Sequence, residues 1–158
     1  DVLPRHIDHE SRTAELLKGV CERWRVPREC RELADVVARE HGHVHRSDGL
    51  NATATLRLLE RCDALRRPER FDEVLLACEC DARGRLHFED NPYPQRERLR
   101  AALAAALTVD SGAIAQKVSQ THPGARDLGL RIAQALHEAR SRAVAQALPP
   151  AHPVPQPG

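Results

Sequence analysis

Apolar positions along this chain recur every three or four residues, and that period predicts helices. Leu16, Leu17, Val20, Cys21 and Trp24 fall at such spacing, predicting a first helix over about 8–24 with these residues as one buried face. Asp8 is its expected cap, and Pro27 closes the segment because proline disfavours a helical residue before it. A second helix opens near Pro27, with Cys30, Leu33, Ala34 and Val37 inward and His41 continuing the stripe. Ser47-Asp48-Gly49 lies in a turn, expected over 43–50. Asn51 caps a third helix carrying Leu56, Leu59, Cys62 and Leu65.

Arg67-Pro68 interrupts the pattern, and Phe71, Val74, Leu75 and Cys78 resume it up to Gly84. An irregular connection over 86–94 leads to a helix with Leu99, Leu103 and Leu107 inward. A short helix near 113–118 and a long one over about 125–147 follow, the latter with Leu128, Ile132, Leu136 and Ala139 inward. The tail from Pro149 is half proline and is expected to be extended or disordered. No stretch alternates with period two. The expected class is all-α: an orthogonal or antiparallel array of six to seven helices without a sheet.

Composition agrees. Hydrophobic residues make up 41% of 158 residues while aromatics make up 3%, so the core must be aliphatic, which suits helices. No apolar run approaches the roughly 18 residues that cross a bilayer, so no membrane is expected as partner. Five cysteines on helical segments give no disulfide framework, and Cys78-x-Cys80 alone is poor zinc spacing. Reduced thiols point to the cytoplasm. A first residue Asp1 and the lack of any methionine lead us to expect that upstream sequence has been removed.

Chemistry concentrates in two places. The first is histidine, nine in all. His6, His9 and the flanking Asp8 and Glu10 lie at the start of the first helix, while His41, His43 and His45 lie at the end of the second. Antiparallel helices joined by a short turn put one start beside the next finish, so His9 and His41 are candidate ligands of one divalent metal. The competing reading is a set of solvated imidazoles, since no spacing here is diagnostic. The second place is arginine. Lys18 and Lys117 are the only lysines, and Arg66, Arg67, Arg70, Arg83 and Arg85 crowd the middle of the chain. Planar guanidinium forks suit phosphate, but Glu60, Asp63, Glu69, Asp72 and Glu73 interleave, so a salt-bridged surface is the more economical explanation.

The segments 63–71 (DALRRPERF), 77–85 (ACECDARGR) and Tyr93-Pro94-Gln95 resemble the carboxy-terminal part of bacterial multifunctional tRNA nucleotidyltransferases, the CCA-adding enzymes. Residues 4–9 (PRHIDH), 25–27, 38–41 and Leu50-Asn51 with Thr55 follow the same pattern. The resemblance implies an amino-terminal head that uses ATP and CTP, and a helical region with an HD-type phosphohydrolase acting on 2′,3′-cyclic and 2′-phosphates with a divalent metal of the Mg or Ni/Mn type. It carries His9 and His41 over as metal-site histidines, and makes tRNA the partner, with Arg66, Arg67, Arg70, Arg83 and Arg85 as contacts. The head and the paired His-Asp of the HD motif precede Asp1 in that pattern. The chain alone is therefore expected to be inactive, and to bury its uncovered apolar face against a partner or a second copy. The implied division is 1–65 for the HD-derived part, 66–148 for a helical tail domain and 149–158 for the proline-rich end. The alternatives are a stand-alone HD-like phosphohydrolase using His6, His9 and His41, and a helical interaction module without catalysis.

Overall fold

A computed structural model describes residues 9–148, and within its first helix the side chains of residues 9–12, 14 and 15 are not described. Those described residues form seven α-helices, with no strand: α1 His9–Arg23, α2 Arg28–His45, α3 Ala52–Arg61, α4 Pro68–Arg83, α5 Pro94–Leu107, α6 Ser111–Thr121 and α7 Leu128–Ala147. A single 3₁₀ turn, Ser47–Gly49, sits between α2 and α3. The all-α expectation holds. The expected disordered end at 149–158 lies outside the described residues.

Local chemistry sets most helix ends. Asn51 Oδ1 accepts from the Ala54 amide at 2.9 Å, and Asp110 Oδ1 does the same for Ala113, satisfying donors that have no partner within the helix. Pro68 and Pro94 open α4 and α5 in the first turn, where a missing amide costs nothing. Two helices end in a left-handed turn without glycine. After α1, Val26 N–H donates to Cys21 O at 3.0 Å around Arg25, whose φ is 49°. After α3, Ala64 N–H donates to Leu59 O at 2.9 Å around Asp63, whose φ is 55°. Each pair is the six-to-one bond of a Schellman cap.

One core runs through the described residues: Val44, Leu56, Leu58, Leu59, Cys62, Phe71, Val74, Leu75, Cys78, Leu99, Leu103 and Val144 all belong to it. Burial of each Leu, Val or Phe contributes about 1.5–3 kcal/mol. The helix α7 packs along α3, α5 and α6, while α4 lies between α2 and α5. Residues on both sides of Leu65 therefore share the same apolar interior. The inward residues expected of α4 are all buried, as are Leu56, Leu59 and Cys62 of α3.

The structure corrects several positions. The helix α2 runs on to His45, because the 3₁₀ turn that follows absorbs the change of direction, so the turn begins later than 43. Cys30 is exposed, and Leu107 is half-exposed at the open end of α5. The larger change is in α1. Leu17 and Cys21 face inward, whereas Leu16, Val20 and Trp24 form a stripe open to solvent, with Trp24 74% exposed. Helical period identifies an apolar face, but α1 touches α2 and is wide enough to present a second stripe that nothing in the described residues covers.

Candidate functional site

The end of α2 is where several histidines meet the rest of the molecule. One turn apart, the His41 and His45 rings meet edge to face with centroids 5.9 Å apart. His41 Nδ1–H donates to Val37 O at 3.0 Å, an i−4 bond that fixes the ring and makes Nε2 the lone-pair nitrogen of the neutral form. His43 turns outward, with Nδ1 3.3 Å from Glu40 Oε2. His9 lies on the α1 backbone, but its side chain, like that of His6, is outside the described residues. Among the described residues no three of His, Cys, Asp and Glu converge on a point that would hold a metal ion. Alone, then, they do not fit a closed metal centre.

His45 is built into a different arrangement. Its Nε2 donates to Asp81 Oδ2 at 2.9 Å and its Nδ1 lies 2.8 Å from Tyr93 Oη. A carboxylate only accepts, so Nε2 carries the proton and, in the neutral ring, Nδ1 accepts from the Tyr93 hydroxyl. Burial, followed by nearby Cys78 and Asp81, raises the Tyr93 pKa well above the ordinary phenol value, so the hydroxyl stays a donor. Gln95 adds to the same corner, its Nε2 donating to His45 O and, at 2.8 Å, to Asp48 Oδ2. Sequence reasoning did not connect these residues, although Asp81, Tyr93 and Gln95 all lie in the segments that carry the resemblance.

The arginines divide by how strongly acids hold them. Arg70, 16% exposed, donates to Cys62 O and lies within 3.5 Å of both Asp63 and Glu32. Arg67 is bound to Glu32. Hydrogen bonds from Arg28 and then Arg67 lower the pKa of Glu32 below the ordinary carboxylate value. Arg83 pairs with Glu79 at 3.0 Å, and Arg96 shares that carboxylate at 2.7 Å. The two looser members are Arg66, 81% exposed and 3.9 Å from Asp63, and Arg85, 3.7 Å from Asp81. Ion pairing is thus the main occupation of Arg67, Arg70 and Arg83, while Arg66 and Arg85 extend into solvent.

These features define an all-α domain with a histidine-bearing helix end and a row of half-committed arginines. No protein-family model matches the chain, and no solved structure does. Among curated proteins it is 60% identical, over 99% of its own length, to the multifunctional CCA protein of Acidovorax sp. (strain JS42). It is 64% identical over 94% of its length to the protein of that name from Variovorax paradoxus, and 60% identical over 94% to one from Burkholderia cenocepacia. The chain spans only 36%, 34% and 34% of those three proteins, and what it matches is their carboxy-terminal part. Over that third, the chain belongs to the multifunctional CCA protein family.

Proposed function

We propose that the chain is the carboxy-terminal helical part of a tRNA CCA-adding nucleotidyltransferase, and that its own role is to contact tRNA. What carries this reading is identity of 56–64% to multifunctional CCA proteins across nearly the whole chain. In it, ATP and CTP are substrates of the head region and are not handled by these helices. Arg66, Arg67, Arg70, Arg83 and Arg85 supply positive charge toward the phosphate backbone, with Arg66 and Arg85 the most available. Recognition is electrostatic and shape-based, as for other folded RNA. Replacing Arg66 and Arg85 together by Gln lowers tRNA affinity and flattens its salt dependence; an unchanged salt slope removes them from the interface.

The reading has a second part, in which residues 1–65 derive from an HD-type phosphohydrolase and 66–148 form the tail. There His9 and His41 are half of a site for a divalent metal of the Mg or Ni/Mn type, completed by residues outside this chain. The i−4 bond that fixes the His41 ring supports it, since a ligand imidazole is normally oriented through its other nitrogen. With no three ligands converging among the described residues, no hydrolytic step is assigned to this chain. Calorimetric titration with Ni²⁺ and Mn²⁺ tests the half-site. Binding that disappears in the His9→Ala, His41→Ala double variant supports it, and binding that persists assigns the metal to other histidines.

A further inference from the structure

We propose that the cleft bounded by the end of α2, the end of α4 and the 84–93 connection is a subsite for one phosphate-and-base unit of single-stranded RNA; this rests on the RNA-binding reading. The cleft has a volume of about 440 Å³. Three arginines line it, Arg46, Arg83 and Arg85, and no carboxylate does. Of the acids around it, Asp81 is engaged by His45 and Arg85, Glu79 by Arg83 and Arg96, and Asp48 by Gln95, while Glu89 and Asp90 on the 84–93 connection are exposed and do not line it. Among the described residues the Arg46 guanidinium has no ion-pair partner. A lining whose only full charges are positive favours a phosphate.

Two further features go beyond charge. Phe88, one of two phenylalanines in the chain, also lines the cleft and is 50% exposed. It is held there by consecutive turns, with Phe88 N–H donating to Arg85 O at 2.9 Å and Asn91 N–H to Phe88 O at 3.1 Å. An aromatic face beside cationic forks is how single strands are held, one base stacked while its phosphate is neutralised. Gln95, another lining residue, has both its amide donors directed at acceptors, which fixes the orientation of its amide. Its Oε1 is left buried and without a hydrogen-bond partner, an unsatisfied acceptor on a residue of the cleft wall.

The test is calorimetric titration of the chain with the trinucleotide pApApA, with inorganic phosphate and with tRNA. Saturable binding of pApApA is expected. Arg46→Gln with Arg85→Gln should weaken it at least about tenfold and flatten its salt dependence. Phe88→Ala should weaken pApApA at least about fivefold and leave inorganic phosphate unchanged. Phe88→Leu, which keeps an apolar side chain but loses the π-face, should behave like Phe88→Ala if stacking is the contact. Failure of pApApA to saturate, or indifference to all of these substitutions, overturns the subsite. A chain that still binds tRNA in that case retains the RNA-binding reading, and a chain that binds neither loses both.

Discussion

Glu40, 8% exposed on α2, accepts three hydrogen bonds from Arg61 on α3: Nε to Oε1 at 2.9 Å, Nε to Oε2 at 3.0 Å and Nη2 to Oε2 at 2.9 Å. The planar fork against the planar carboxylate ties the helix bearing the histidines to the helix at the centre of the core. The hydrogen bond to Glu40 is also the main cause of the raised Arg61 pKa. Removing Arg61 leaves a nearly buried carboxylate with only the His43 imidazole beside it, at 3.3 Å, while removing both partners leaves no carboxylate to satisfy. Arg61→Ala is therefore expected to cost about 1–3 kcal/mol in urea unfolding, and Arg61→Ala with Glu40→Ala less than the sum of the two single changes. Additive losses would mean that the pair does not act as a unit.

Asp72 on α4 is gripped by Arg100 on α5, at 2.6 Å from Nε and 2.5 Å from Nη2. That bond holds the Asp72 pKa below the ordinary carboxylate value. A depressed carboxylate stabilises the fold above its unfolded pKa, about 3.9, and the contribution is lost as pH falls through the lower folded value. The stability advantage of the native chain over Asp72→Asn should thus be present at neutral pH and shrink below about pH 4. Because both side chains are well hydrated the difference will be modest. A gap between the two melting curves that widens on acidification would contradict the assignment.

The open stripe of Leu16, Val20 and Trp24 gives a prediction that needs no label, since Trp24 is the only tryptophan. Dilute chain should emit at long wavelength and be readily quenched by acrylamide. As concentration rises, light scattering should report self-association, the emission should shift to the blue, and Trp24→Arg should suppress both changes. A monomer at high concentration with Trp24 still fully quenchable would show that no second copy covers the stripe.

Much of this architecture is written locally in the chain. Asn51, Pro68 and Pro94 start helices, and the period of Phe71, Val74, Leu75 and Cys78 gives the buried face of α4 directly. What escaped sequence reasoning depends on distance. His45 lies 48 residues from Tyr93 and 36 from Asp81, so nothing local joins them. Trp24 and Leu16 share a helical stripe that reads as core, yet burial is decided by whether another element lies over it. The arginines were legible as a basic row, but which of them acids would hold depended on the meeting of α2 with α4, where Glu32 takes up Arg67 and Arg70.

The most direct test of the central claim is the affinity of the unmodified chain for tRNA, measured at salt concentrations from about 50 to about 200 mM. An RNA-contacting surface built on arginine predicts saturable binding that weakens steeply with salt, with a logarithmic slope of about −2 or beyond for three or more phosphates contacted. Absence of saturable binding at the lowest salt, or an affinity indifferent to salt, would contradict it.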